Sequence, residues 1–200
     1  MNEFEKSVLQ RVGKEKYERI TNTLVGIIGC GGLGSNAASY LVRSGFRRFI
    51  IMDFDTIDYS NLNRQFYFYE DVGKKKTDVL KEHLMRINPD IEVEMLCGRL
   101  DRDNINIFRK VDVLIEAVDI AGTKADIVSF GAQNGIFTVS SSGMAGYGDG
   151  KDMTVKKIGG VYITGDMKSG ISPDLHPYAP KVAIAAALEA DIVLKYVMDS

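Results

Sequence analysis

The sequence predicts an α/β chain built on a doubly wound, mainly parallel sheet, with a small antiparallel C-terminal extension. Two observations carry this expectation. Short apolar runs alternate with amphipathic stretches as far as Ser142, the pattern of repeated strand–helix units. The first run then opens into "GIIGCGGLGSN", where Gly29, Gly31 and Gly34 spell G-x-G-x-x-G, and Asp53 ends the next run nineteen residues beyond Gly34. Strand, glycine turn, helix and acid in that order are the Rossmann-like fingerprint of a nucleotide site. At 200 residues the chain suits one domain, 1–200, with a sizeable core.

The elements follow in order. Residues 1–22 are polar with spaced apolar positions, and predict a helix or two short helices broken at Gly13. "TLVGIIG" is a short apolar strand, and "SNAASYLVRSG" a helix closed by Gly45. "FRRFIIMDFD" is a second strand ending in acid, and "KKKTDVLKEHLMRINP" a helix with Pro89 past its end. "IEVEML" alternates as a strand, "DRDNINIFRK" reads as a short helix, and "VDVLIEAVD" as a buried strand closed by Asp119. "AGTKADIVSFGAQNG" is a helix with Gly135 beyond it, followed by the strand "IFTVSSS". The segment 143–179 is turn-rich. It contains a hairpin about Gly159-Gly160 and a long loop, "GDMKSGISPDLHPYAP". A last helix occupies 180–198.

Composition narrows the function. A net charge of −2 lacks the basic excess of a nucleic-acid binder, so nucleic acid is a disfavoured partner. The two cysteines, Cys30 and Cys97, form neither a disulfide framework nor a C-x-x-C pair, so no zinc site is expected. "MNEFEKSVLQ" is not a secretory signal. "KVAIAAALEADIVLKYV" is too short and, with Glu189 and Asp191, too charged to span a bilayer. No membrane association is expected, and the expected compartment is the reducing cytoplasm.

The glycine turn says that phosphate binds, because N–H groups at a helix N-terminus hold anions. Asp53 fits a ribose carrying a free 2′-hydroxyl. Neither separates NAD from ATP. The next stretch does. Asn61, Asn63, Arg64 and Gln65 form a dense polar group just after the second strand, where a dehydrogenase needs none. Arg64 suits bidentate contact with phosphate. Lys76 starts a helix, where a cation opposes the dipole and gains from a nearby anion. Asp119 lies at the carboxyl end of an apolar strand, where ligands bind in open α/β sheets, and an acid there suits Mg²⁺ on phosphate oxygens. Met144 and Tyr147 lie in the glycine-rich turn where an acceptor would enter, and His176 in the loop that would close over it. Cys30, Cys97 and His83 read as structural.

"GCGGLGSN", "DFDTIDYSNLNRQF", "KKKTDV", "RINPDIEV" and "VLIEAVD" together resemble the E1-like adenylyltransferases, the ThiF/MoeB/HesA superfamily. "SSSGMAGYG" and the small size look most like the short branch called ThiF family 2, which is similar to the methanogen HcgE-type proteins of iron-guanylylpyridinol cofactor biosynthesis. The resemblance implies an ATP- and Mg²⁺-dependent enzyme that activates a carboxylate as an acyl-adenylate. It implies that Gly29, Gly31, Gly32 and Gly34 pass the ATP phosphates and that Asp53 and Asp55 lie at the nucleotide. Ser60, Asn61 and Arg64 would line the triphosphate, Lys76 would contact phosphate and Asp119 would hold Mg²⁺. It also implies a homodimer in which an arginine ahead of the first strand, Arg11 or alternatively Arg19, acts in trans. Three departures stand out. The family's zinc cysteines are absent, no cysteine follows Cys97, and Ile120 stands where relatives carry a polar residue. Sulfur transfer and thioester formation are therefore not expected, while adenylylation is. The acceptor would be the Gly-Gly end of a ThiS-like carrier protein or a small acid such as the guanylylpyridinol precursor. The competing readings are an NAD-dependent oxidoreductase and a tRNA-modifying, ATP-dependent dehydratase of the same superfamily.

Overall fold

A computed structural model describes residues 1–148 and 150–200, so position 149 of the turn-rich segment lies outside the described residues. Strands β1 (Leu24–Ile28), β2 (Arg48–Asp53), β3 (Glu92–Cys97), β4 (Val113–Glu116), β5 (Phe137–Ser141), β6 (Thr154–Ile158) and β7 (Val161–Gly165) form one sheet in the order β3-β2-β1-β4-β5-β7-β6. Every neighbouring pair is parallel except β6 and β7, the expected hairpin. The hairpin is not a separate extension, because β7 continues the sheet by pairing parallel to β5.

Period-two alternation divides the strands between two cores. Val25, Ile27, Phe49, Ile51, Val113 and Ile115 face one side. There they meet α3 (Gly32–Arg43), α4 (Lys76–Ile87) and α6 (Ala179–Asp199). Ile28, Ile50, Met52 and Leu114 face the other side, against Phe108 and α5 (Ala121–Gln133). The "DRDNINIFRK" helix is a single 3₁₀ segment, Ile105–Lys110, and it buries Phe108 completely. Two short helices, α1 (Glu3–Val12) and α2 (Lys14–Asn22), precede β1 and are separated at Gly13, whose φ is 80°. Asn2 and Glu5 form a capping box on α1. The buried Glu5 carboxylate pairs with Arg47 at 3.2 Å, which fixes α1 to the entrance of β2.

The chain runs from β1 outward to β3 and then crosses back to β4 on the other side of β1. The carboxyl ends of β1, β2 and β4 therefore meet at a topological switch point, the crevice where open α/β sheets bind ligands.

Candidate active site

The turn after β1 is built for close approach. Gly29 has φ 102°, and a Cβ there would lie 2.5 Å from the Ala117 carbonyl oxygen after β4. Its N–H donates to the Met52 carbonyl at 2.8 Å. Asp53 ends β2 and braces the turn: one carboxylate oxygen accepts the Cys30 N–H, and the other accepts the Asp55 N–H at 2.7 Å. The Tyr67 hydroxyl donates to the Cys30 carbonyl at 2.9 Å. No side chain caps α3, so its first-turn N–H groups stay available. Ser35 and Asn36, the "SN" after the glycines, hold the neighbouring loop. Ser35 Oγ accepts the Phe66 N–H at 3.0 Å, and Asn36 Nδ2 donates to the Arg64 carbonyl at 2.9 Å.

A cleft of about 260 Å³ opens over this turn. Gly29, Gly31, Gly32, Asp53, Asp55, Arg64, Lys76, Asp119 and Met144 all line it. The Arg64 stem packs on Gly32, where a Cβ would lie 3.4 Å from Arg64 Cγ and 2.9 Å from Val182 Cγ1. Nη1 of Arg64 donates to the Ser60 carbonyl at 3.0 Å and to Asn63 Oδ1 at 2.7 Å. Partial burial lowers the Arg64 pKa, and the Asp119 carboxylate opposes that shift. Lys76 is buried at the start of α4, and its Nζ pairs with Asp55 Oδ2 at 2.7 Å. The anion expected beside Lys76 is thus supplied within the chain by Asp55, whose side chain remains 45% exposed.

Asp119 lies three residues past the end of β4 rather than on it. The cause is Glu116: its carboxylate folds back onto the Val118 N–H at 2.8 Å and is pinned by Lys124 and by Ser140 Oγ. This ends strand pairing and delivers the exposed Asp119 to the rim.

Ser60 and Asn61 do not reach the cleft lining. They sit in the 3₁₀ turn Tyr59–Asn61, capped by Asp58, and Asn61 Oδ1 is occupied by the Asp58 N–H at 3.0 Å. Tyr147 is 81% exposed and packs edge-to-face on Tyr178 outside the cleft. His176 is exposed and offers only its backbone carbonyl, to the Gly146 N–H at 2.8 Å. Arg11 and Arg19 are likewise outside the lining; Arg19 donates to the Met198 carbonyl at 3.1 Å and to Glu15 at 2.7 Å.

Several lining residues were not assigned to the site from the sequence. Phe54 carries the Arg99 guanidinium 4.3 Å above its ring centre, and Leu100 adds to that wall. Ile171, Pro177 and Val182 form the opposite, apolar wall. Gln65 was read only as part of the polar group, yet its Oε1 is buried against the cleft with no hydrogen-bond partner.

These features fit a nucleoside triphosphate: uncapped N–H groups, a glycine surface that a Cβ would fill, an orphaned amide oxygen and a cation at the rim. Mg²⁺ requires only one or two carboxylates beside phosphate and water, and Asp119 is available as one. Among the described residues no cluster of three or more acids, histidines or cysteines forms a cage.

The ThiF family model matches residues 5–199. The chain belongs to the ThiF family. It is similar to a sulfur carrier protein adenylyltransferase of Thermus thermophilus, 38% identical over 114 residues, which cover 56% of this chain and 42% of the relative. It is also similar to a tRNA threonylcarbamoyladenosine dehydratase of Bacillus subtilis, 33% identical over 148 residues, covering 72% of this chain and 58% of the relative. The chain therefore spans about half the length of these curated relatives. The crystal structure of the E. coli tRNA N6-threonylcarbamoyladenosine dehydratase in complex with ATP shares the fold, with a TM-score of 0.89 at 21% identity over 97% of this chain and 93% of that one. No helix among the described residues is long and apolar enough to cross a membrane.

The remaining titratable residues near the turn are structural. His83 is buried between the Phe66 carbonyl, 3.1 Å from Nδ1, and Asp71, 3.2 Å from Nε2. Cys30 is buried, and that burial pushes its thiol well above the ordinary range. Because the thiolate is the reactive form, a disulfide reagent should label only the exposed Cys97 in the folded protein. Cys30 should react only after unfolding; two thiols reacting at equal rates under native conditions would contradict this.

Proposed function

We propose that the chain is an ATP- and Mg²⁺-dependent adenylyltransferase that activates a carboxylate and releases pyrophosphate. The observation that carries the reading is Arg64 facing Asp119 across an uncapped glycine turn. A cation and an acid at that place suit the charge of a triphosphate attacked at its α-phosphorus, and leave no work for a hydride carrier. The acceptor carboxylate, with a pKa near ~4, is already ionised at neutral pH and needs no general base. Rate then comes from placement and charge neutralisation. Arg64 and Lys76 neutralise phosphate oxygens, and Asp53 holds the ribose while bracing the turn. Phe54 and Leu100 offer an apolar wall for the base. Asp119 would hold Mg²⁺, which when bound lowers the cost of charge building on the leaving pyrophosphate.

Met144, Ile171, Pro177 and Val182 would receive the acceptor. With no zinc cysteines and a short C-terminal segment, a small acid such as the guanylylpyridinol precursor is preferred over a ThiS-like Gly-Gly tail. The active form is a homodimer, with Arg11 entering the partner's cleft. The bonds that tie Arg19 to α6 and Glu15 leave Arg11 as the freer arginine.

Arg64→Ala and Asp119→Ala should each reduce acceptor-stimulated ATP–pyrophosphate exchange at least a hundredfold, with thermal unfolding within a few degrees of the parent. Full exchange in both variants would sink the assignment, and binding of NAD in preference to ATP would sink the reading itself. The Bacillus subtilis relative favours one alternative, a tRNA-modifying dehydratase that uses the same activation step. Salt-sensitive tRNA binding at moderate ionic strength would select it.

A further inference from the structure

Lys181, beside Val182 on α6, is buried with every proton of its ammonium used. Its Nζ donates to the Ala145 carbonyl at 2.9 Å, to Asp166 Oδ2 at 2.6 Å and to Ser169 Oγ at 3.0 Å. Asp166 gathers its own loop: Oδ1 accepts the N–H groups of Lys168 and Ser169, each at 2.8 Å, and Oδ2 also accepts the Ser169 hydroxyl. One ion pair thereby ties two separate segments, 143–146 and 166–169, to one helix. The segments also bond to each other, Asp166 N–H to Gly143 O at 2.9 Å and Ala145 N–H to Ser169 O at 3.2 Å. The second segment runs on to Pro177, which bridges Ala145 and Gly146.

Two features indicate that this region is built around the pair. Met167 has φ 60° and is the only non-glycine residue with positive φ among those described. Such backbone persists only where its surroundings over-determine it. Gly143 has φ 77°, and a Cβ there would lie 2.1 Å from Asp166 Oδ1. The glycine leaves the space that the carboxylate occupies.

We infer that Lys181 is a positioning residue for the acceptor end of the cleft. With Asp166 it holds the wall carrying Met144 and Pro177 against α6, and so sets affinity for the acyl group while leaving the nucleotide side untouched. This rests on the adenylylation reading above. The test uses two ligands in calorimetry: AMP, which fills the nucleotide side alone, and a stable acyl-adenylate mimic, N-acetyl-glycylglycyl-sulfamoyl-adenosine, which extends past it.

The wild-type protein should bind the mimic more tightly than AMP. Lys181→Met should leave the AMP dissociation constant within twofold and raise that of the mimic at least tenfold. Because that variant strands the Asp166 carboxylate, the double variant Lys181→Met with Asp166→Asn serves if it does not fold; the same selective loss is expected. Unchanged mimic affinity, or equal weakening of both ligands, overturns the inference while leaving the ATP reading intact. A wild-type protein that binds the mimic no better than AMP overturns it too. One that binds neither removes the ATP reading and this inference together.

Discussion

Gly34→Ala should cost about 3 kcal/mol of stability, the upper end for overpacking a buried site, and weaken ATP binding at least a hundredfold. A Cβ on Gly34 would lie 1.9 Å from the Gly29 carbonyl oxygen and 3.2 Å from Ala117 Cβ. Neither neighbour is a flexible side-chain tip. Gly29 is already fixed by its N–H bond to Met52 and by its approach to the Ala117 carbonyl. The clash is relieved only by moving α3 off β1, which opens the turn that presents the phosphate-binding N–H groups. Gly122→Ala provides the contrast. Gly122 lies in α5, nothing stands within 4 Å of its added Cβ, and its φ is ordinary. That change should stabilise by about 0.5–1 kcal/mol through helix propensity alone. Urea unfolding and ATP calorimetry on the two variants check both halves. A Gly34→Ala protein with parental stability and affinity would show that the glycines are not what closes this turn.

The glycine turn was legible because its signal is local: glycine spacing, a preceding apolar run and Asp53 one strand later together dictate strand, turn and helix. Arg64, Lys76 and Asp119 were legible as cleft residues for a related reason. Each stands at an element boundary on the carboxyl side of the sheet, where the topology gathers such boundaries. Lys76 marks where this ends. Its need for an anion followed from the helix dipole, but the anion is Asp55, twenty-one positions earlier, and a pairing across that distance leaves no spacing signal. Ser60 and Asn61 were grouped with Arg64 by adjacency. In a 3₁₀ turn, however, neighbouring side chains diverge, and capping by Asp58 turns these two away from the cleft. Tyr147 and His176 lie in segments without periodicity, so nothing in the sequence fixed which way they face. Asp119 was placed at the end of a strand that in fact stops at Glu116, because a buried acid ends the pairing. Ile171, Pro177 and Val182 enter the cleft only because Lys181 and Asp166 fold the late loop back, a tertiary effect.

Glu189, read in the sequence as one of the charges that interrupt an apolar segment, should make the protein less stable as pH rises. It is fully buried on α6; Oε1 accepts the Ser141 hydroxyl at 2.7 Å, and Oε2 has no partner. Burial pushes its carboxyl up to about 8, reinforced by the Glu116 charge and opposed by the Ser141 hydrogen bond and Lys124. The folded state therefore keeps the proton across neutral pH, whereas the unfolded chain releases it above about 4.3. Between those values the native state binds more protons than the unfolded state, so stability falls with rising pH and levels off above about 8. The total loss is a few kcal/mol at about 1.4 kcal/mol per pKa unit. Asp166 works in the opposite sense and in another range. Hydrogen bonds from Lys181 and Ser169 hold its carboxyl well below the ordinary value, so its contribution is lost only as pH falls through the acid range. Glu189→Leu should remove the slope between pH 5 and 8 and leave the acid limb. The Ser141 hydroxyl keeps Thr164 Oγ1 as a partner in that variant, so no polar group is stranded there. Urea midpoints at pH 5, 6, 7 and 8 decide the matter. Parallel profiles for the parent and Glu189→Leu would mean that Glu189 ionises in the folded protein as it does in water.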